Sequence, residues 1–392
     1  MTLRWFCWVA AALLFSSALW AQEPVPATGV PFPVPPYGRI SPESIGAPAV
    51  PNDPLELVTG EAQAADDGAQ RAGALSLLEK ARNLSNVRAQ PYDLNTIFTS
   101  IDPATGSSAE WAIEDISPGR DIYRWTADGP SFSGIFLTKD SLLSSNRPTN
   151  AIPLRLAEVR DAIFFQYTWI HEHASVRTAS GTLNGAELQC VLIAHRVGKR
   201  TPTGARNWNE YEYCIDSNTG LLATYSPVPG IYYHDAYSDS IHFHDKIIPS
   251  EFTIAEAGRT VVEARTLSVT DPIGPSSAMF SGEGLTALGA GPSTQGPEIY
   301  AIGGLPSNFS TQAMNSPRGS QIVVVTGITG KGGQLAESEI LASTAEELNQ
   351  AALDSANKAA AAQCSCGPGT APGAVRPSRE VIYVIRFFTN AT

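Results

Sequence analysis

Two pairs of histidines have a spacing that could place a metal ion on a β-strand. His171 and His173 flank one glutamate, and His242 and His244 flank one phenylalanine. Side chains two residues apart on a strand point to the same side, and imidazole is a common Zn²⁺ ligand. The competing interpretation is that the four rings are polar residues on the solvent side of half-buried strands. We adopt the second interpretation and expect neither a metal nor another cofactor.

The cysteines indicate disulfide chemistry. Cys7 lies in an apolar N-terminal segment, and Cys190, Cys214, Cys364 and Cys366 remain. An even number of cysteines in an exported chain is typical of disulfides, and four allow three pairings. We favour Cys190–Cys214 and Cys364–Cys366, because each pair is local in the chain. A redox pair, a soft-metal site or unpaired thiols stay open for Cys364 and Cys366.

No catalytic signature is present. The sequence lacks a nucleophile elbow, a phosphate loop and a dinucleotide-binding fingerprint. The stretch Gly330-Lys-Gly-Gly predicts a hairpin turn, since no Lys-Ser/Thr pair follows it. We therefore predict no catalytic residues and a protein that is not an enzyme.

Six tyrosines concentrate in the middle of the chain. They predict either the aromatic lining of a concave sheet or ordinary strand residues, and both interpretations stay open. The six are Tyr211, Tyr213, Tyr225, Tyr232, Tyr233 and Tyr237.

Length and charge limit the function classes. The chain has 392 residues, 43% of them hydrophobic, which suffices for two or three domains. Its 38 acidic and 26 basic residues give a formal net charge of −12. An acidic chain repels the phosphate backbone, so we exclude nucleic acid as a partner.

The first residues resemble an export signal. Arg4 precedes the apolar run Trp5–Phe15, and Ala21 is a small residue suited to cleavage. We predict a signal peptide over 1–21 and a periplasmic or secreted protein; an uncleaved inner-membrane anchor is the alternative. Ten prolines between Gln22 and Pro54 predict a linker over residues 22–68.

The following residues predict an α+β fold with two ordered parts. Helical spacing covers Ala69–Leu84 and, less regularly, Leu154–Tyr167, while short alternating runs fill most of the rest up to Val269. We predict a mainly antiparallel, curved, half-barrel-like domain with one or two helices over 69–275. A Gly/Pro/Ser-rich linker should cover 276–318.

The last part, 319–392, has the order strand, strand, helix, strand. Ser343 and Glu346 form a capping-box pattern ahead of a helix predicted over Ala345–Ala362. Successive side chains of the closing strand point to opposite faces, and we predict that one face packs against that helix. This face consists of Val381, Tyr383, Ile385 and Phe387.

This last part resembles the C-terminal domain of the TonB family. The resemblance lies in GSQIVVVTGITGKGGQLAESEIL, in the helix pattern Leu348-Asn-Gln-Ala-Ala-Leu353 and in EVIYVIRF. It implies that a sheet edge pairs with an extended segment of an envelope protein or outer-membrane receptor, in TonB-linked transport. The residues implied are those of the closing strand: Val381, Ile382, Tyr383, Val384 and Ile385. A homodimer through this strand stays open.

The middle part is similar to the half-barrel carrier domains of the LolA type. The similarity rests on Cys214-Ile-Asp-Ser-Asn-Thr-Gly-Leu-Leu, Tyr237-Ser-Asp-Ser and Ile248-Pro-Ser-Glu-Phe-Thr-Ile. It implies a curved sheet that holds an apolar ligand or lipid. The sequence thus leaves two functions: a TonB-like periplasmic interaction protein first, and a LolA-like carrier or binding module as the alternative.

Overall fold

A computed structural model describes the chain over residues 61–102, 105–148, 152–164, 170, 174–194, 203–204, 206–207, 210–290, 298–303, 320–329, 335–365 and 379–388. All of these belong to one compact unit, Phe32–Thr392. The predicted signal peptide, 1–21, and most of the predicted linker, 22–68, lie outside the described residues. The predicted domain boundaries therefore stay predictions.

The described part is mostly sheet with three α-helices. The helices are α1 (Gly68–Ser85), α2 (Leu154–Ile163) and α3 (Asn349–Ser365). The strands before α2 are β1 (Ala62–Ala64), β2 (Tyr92–Ile101), β3 (Ser108–Gly119), β4 (Ile122–Asp128), β5 (Ser133–Lys139) and β6 (Leu142–Ser145). Those after it are β7 (Ser175–Leu183), β8 (Ala186–Ala194), β9 (Thr203–Gly204), β10 (Tyr211–Asp216), β11 (Leu222–Val228), β12 (Ile231–Ala236), β13 (Ile241–Phe243), β14 (Lys246–Ile248), β15 (Glu251–Glu256), β16 (Arg259–Thr270), β17 (Thr286–Ala290), β18 (Glu298–Gly303), β19 (Ser320–Thr329), β20 (Leu335–Ser343) and β21 (Arg379–Phe388).

Fifteen strands form one open, curved antiparallel sheet, as the alternating runs predict. Its order is β17-β6-β5-β4-β3-β2-β16-β15-β12-β11-β10-β8-β7-β1-β9, so consecutive strands are mostly neighbours. Along β2 every second residue is buried, from Tyr92 to Ser100. This period of two directs one face of the sheet to a core.

Helix α1 begins and ends close to the predicted bounds. The side chain of Asp67 accepts a hydrogen bond of 2.6 Å from the backbone N–H of Gln70, which caps the helix. Ala74, Leu78 and Ala81 form the buried stripe of α1 and pack against the β7–β11 region of the sheet. Helix α2 also begins at the predicted Leu154 but ends at Ile163, before the predicted Tyr167.

The two predicted linkers contribute strands, which the sequence interpretation missed. β1, inside the predicted 22–68 linker, pairs with β7 and β9. In the predicted 276–318 linker, β17 extends the large sheet and β18 pairs in parallel with β21. Strands of three to six residues hold too few alternations to be recognised by period.

The last part forms a second sheet with the predicted strand, strand, helix, strand order. Its order is β18-β21-β19-β20, with α3 on one face. As predicted, Val381, Tyr383, Ile385 and Phe387 pack on the face that carries α3. Ile382 and Val384, on the opposite face, join the core of the large sheet. The turn residue Gly230 (φ +97°) comes so close to this face that a Cβ would lie 3.1 Å from Ile322.

The predicted capping box does not form. The Ser343 hydroxyl accepts a hydrogen bond from the N–H of Ala345 and donates one to the carbonyl oxygen of the same residue, rather than accepting from the N–H of Glu346. A short 3-10 turn, Glu346–Leu348, precedes α3, and Ala345 at its start supplies no side-chain cap. The hydroxyl is thus used in the turn that leaves β20.

The first two turns of helix α2 are buried on all sides, although they contain charged residues. Arg155 is fully buried and donates to both oxygens of Glu256 on β15, at 2.8 Å for the Nη2–Oε2 bond, and to Glu158 at 2.5 Å. Burial raises the pKa of Glu158 to about 8, while Arg155 lowers it and Glu256 raises it further. At neutral pH we therefore assign the charge pair to Arg155 and Glu256, with Glu158 protonated.

A second buried pair holds the other end of α2. Arg160 donates to Asp115 on β3 at 2.7 Å, and the hydroxyl of Tyr92 donates to the same carboxylate at 2.9 Å. The Arg160 guanidinium also lies 3.9 Å from the ring centroid of Trp125. Ionic contacts thus join α2 to both halves of the large sheet.

This arrangement predicts unequal costs for two similar substitutions. Glu256→Gln should lower the free energy of unfolding at pH 7 by about 1–3 kcal/mol, because it removes the carboxylate that accepts from Arg155 through both oxygens and leaves Glu158, 2.5 Å away, as the counter-ion. Glu158→Gln should cost less than about 1 kcal/mol, since the native carboxyl is already neutral. Urea unfolding of both variants measures the difference, and equal losses would contradict the assignment of the charge.

Candidate functional site

The inner face of the large sheet is apolar and aromatic. Phe98 stacks on Trp111 with ring centroids 5.8 Å apart, and Trp125 stacks on Phe136 at 4.1 Å. The other half of the sheet supplies Val228, Ile231, Tyr233, Phe252 and Ile254 to the same core. Helix α2 lies within this core, so one helix covers much of a large apolar surface.

A row of tyrosines crosses this face from the α1 side to the α2 side. Tyr213, Tyr225 and Tyr233 are cross-strand neighbours on β10, β11 and β12. Their ring centroids are 5.1 Å and 5.5 Å apart. Burial is the main reason that the pKa values of Tyr225 and Tyr233 lie well above their usual range. Tyr232 lies on the opposite face, stacked on His234, so the six tyrosines divide between the two interpretations.

A cleft opens where α1 and α2 end over the inner face. It holds about 580 Å³, the solvent at its mouth included, and its enclosed part accepts only a few water molecules. Its lining combines the helix ends with side chains of the sheet and of the segment that follows β12. These residues are Ser85, Asn86, Val87, Leu94, Ala162, Ile163, Phe164, Leu222, Asp235, Tyr237, Ile248, Pro249, Phe252 and Thr266.

Asp235 is the carboxylic acid of this lining. It continues the inward row Ile231, Tyr233 on β12 and lies opposite Phe252 of β15. Burial raises the pKa of its carboxyl to about 7. No charged group among the described residues offsets that cost, although the side chain is partly exposed to the cleft.

Three further charged side chains lie near the helix ends. Lys246 donates to the carbonyl oxygen of Asn83 at 2.7 Å and to Asp245 at 2.8 Å. The Arg88 guanidinium lies 3.9 Å from the ring centroid of Phe164. Burial raises the pKa of Asp161, in the last turn of α2, to about 6, against the lowering effect of Arg88 and Arg160.

The predicted edge residues lie elsewhere. Val381, Ile382, Tyr383, Val384 and Ile385 belong to β21, which is hydrogen-bonded to β18 on one side and to β19 on the other. All five are buried, so the expected free edge is corrected to an interior strand. The reason is β18, a strand that the sequence interpretation placed in a linker. Binding by these residues stays a prediction.

The histidines and cysteines have separate outcomes. His242 is an exposed strand residue, whereas His244 lies in the following turn (φ 52°) with Nε2 2.8 Å from Asp271, so the two do not share a strand face. His171 and His173 lie outside the described residues.

Cys190 and Cys214 are buried, paired across β8 and β10, and disulfide-bonded, which confirms that prediction. The other predicted pair includes Cys366, which is not among the described residues.

The sequence interpretation missed Asp235 and the charges of α2. A signal for Asp235 exists, because it follows Ile231 and Tyr233 at a spacing of two and so must share their face. No comparable signal marks Arg155 and Glu158, whose i,i+3 spacing is equally typical of a solvent-exposed helix face.

The raised pKa of Asp235 predicts a pH dependence of stability. A carboxyl that binds its proton more tightly in the folded state contributes stability that is lost as pH rises from about 4 to about 7. Asp235→Asn should therefore shrink the fall in unfolding free energy between pH 5 and pH 8 by about 1–3 kcal/mol. Urea unfolding at both pH values tests this, with the exposed Asp239→Asn as control. Identical pH profiles of Asp235→Asn and the native protein would contradict it.

None of the helices in the described part of the chain is long and apolar enough to span a bilayer.

Comparisons with known proteins identify similar folds at low identity. No family model matches the sequence, and no curated protein matches it. A LolA superfamily protein from Nitrosomonas europaea is 10% identical with a TM-score of 0.36, over 50% of this chain and 92% of its own. An outer membrane lipoprotein-sorting protein domain from Vibrio parahaemolyticus (8%, 0.35) covers 54% and 97%, and a DUF1329 family protein from Desulfovibrio piger (10%, 0.36) covers 54% and 96%. The TonB resemblance of residues 319–392 stays a prediction.

Proposed function

We propose that this protein is an exported binding module or carrier for apolar ligands of the lipid class. The ligand would enter at the cleft between α2 and the inner face of the large sheet. The observation that carries the proposal is the cleft itself, where apolar side chains of the end of α2, the turn after α1 and four strands converge beside a large aromatic core. Concave, mostly apolar sites with few polar groups are the usual form of small-molecule sites.

The way α2 is attached supports a role as a cover. An apolar helix could be held by hydrophobic contact alone, whereas α2 is held by Arg155–Glu256 and Arg160–Asp115. A buried ion pair adds little net stability but requires one geometry, because each charge depends on its partner. Such contacts define a closed position to which α2 returns after a ligand leaves.

The disulfide supports the exported location. Cys190–Cys214 joins neighbouring strands of the large sheet, and disulfides persist in oxidising compartments such as the periplasm. The export signal predicted over 1–21 is consistent with this location.

We infer binding rather than catalysis. The buried arginines and carboxylates beside the inner face are engaged with each other in holding α2. Asp235, the carboxylic acid of the cleft lining, lies in a mostly apolar lining, a setting that suits recognition of one polar group on an apolar ligand.

The test is to fill the cleft without changing charge. Ala162→Phe adds a ring in the last turn of α2, at the cleft, and should weaken binding of the neutral dye Nile red by about tenfold, equivalent to about 1.4 kcal/mol. Ala72→Phe makes the same change at an exposed position of α1 and serves as the matched control. Fluorescence titration measures both. Undetectable dye binding by the native protein, or equal effects of the two variants, would reject this site.

A further inference from the structure

The cleft has an electrostatic character as well as an apolar one. Its partly exposed carboxyl, Asp235, projects from the inner face of β12 beside Phe252, Ile248 and Leu94. The described residues give this carboxyl neither an ion pair nor a hydrogen bond, and burial alone accounts for its raised pKa. A carboxylate in such a position gains most from a ligand that brings a positive charge.

The C-terminal ends of α1 and α2 also favour a positively charged ligand in the cleft. The C-terminal residues Ser85 of α1 and Ile163 of α2 both line the cleft. The last carbonyl groups of a helix carry partial negative charge and favour cations nearby. The Lys246 ammonium group donates a hydrogen bond to one carbonyl oxygen of α1, that of Asn83. The Arg160 guanidinium donates to Asp115 and not to a carbonyl at the end of its own helix.

We propose that the cleft selects amphipathic ligands with a protonated amine next to an apolar chain, with the carboxylate of Asp235 as counter-ion. This rests on the proposed function, in which the cleft receives an apolar ligand. The apolar lining would hold the chain, while Asp235 would accept hydrogen bonds from the ammonium group. Thr266 and Ser85, also in the lining, supply hydroxyl groups at the same cleft.

An anionic head group is the main competitor. Arg88 lies near this region with Nε and Nη2 buried and without hydrogen-bond partners among the described residues, but its guanidinium lies over the ring of Phe164 and the residue does not belong to the lining of the cleft. A carboxylate or phosphate placed in the cleft would face Asp235 and the negative helix ends. Charge therefore favours an amine over a fatty acid of equal chain length.

The experiment compares three ligands that differ only in the head group. Dodecylamine, dodecanol and dodecanoate displace Nile red from the full chain at pH 8, where Asp235 is ionised and the amine is protonated. The two ionic ligands are kept below their micelle-forming concentrations and dodecanol below its solubility limit. We expect dodecylamine to bind at least about tenfold more tightly than dodecanoate. Asp235→Asn should weaken dodecylamine about tenfold and change dodecanol by no more than about twofold, whereas Asp235→Glu should retain part of the preference.

Matched controls separate this inference from the function on which it rests. Asp239→Asn makes the same charge change at an exposed position and should leave the amine preference intact. Dodecanol binding shows that Asp235→Asn still folds and keeps its cleft. Two results would overturn the amine assignment alone. The first is binding of all three ligands without a preference for the amine, and the second is that Asp235→Asn weakens dodecylamine and dodecanol equally. Failure of all three to bind the native protein would overturn both.

Discussion

The burial of a charged helix inside an apolar core is the constraint on which the arrangement depends. Arg155 has no exposed side-chain surface, and a lone guanidinium there would be prohibitively unfavourable. Glu256 on β15 therefore has to meet it, which fixes the position of α2 relative to one half of the sheet. The Arg160–Asp115 pair does the same for the other half. These two ion pairs thus fix the position of α2 in a core whose other contacts, mostly hydrophobic, have no preferred direction.

The second sheet follows from the same constraint. With α2 in place, the core still has an apolar side, and Ile322, Val324, Ile382 and Val384 cover it. The opposite face of that sheet must then be covered by α3, whose Ala352, Ala356 and Ala360 allow close approach. This explains why β21 is buried on both faces and why its residues act in packing. A part with a recognisable strand, strand, helix, strand order therefore serves here as a wall of the larger core.

The sequence predicted what depends on local period and little that depends on distant pairing. The alternation of β2, the extent of α1 and the two faces of β21 follow from spacings of two and of three or four residues. The edge position of β21 was wrong because its neighbour β18 is short and lies in a Gly-rich segment. The Cys190–Cys214 bond was predictable from proximity in the chain. The partners of Arg155 and Arg160 were not, because Glu256 and Asp115 are 101 and 45 residues away.

The closed cleft is too small for an acyl chain, so a ligand of the proposed class requires movement, and the contacts indicate where. The N-terminal half of α2 is fixed by Arg155 and by fully buried Leu154 and Leu156. The residues from Asp161 to Ile163 are only partly buried, and they end at the cleft. Loosening this last turn breaks fewer buried contacts than lifting the whole helix, and local opening of weakly packed segments is the ordinary low-energy motion of folded proteins. The Arg160–Asp115 pair lies just before these three residues, so their movement leaves both buried ion pairs of α2 in place. The chain of a ligand would then replace the contacts of the last turn with the aromatic inner face, while Arg155–Glu256 holds the helix for its return.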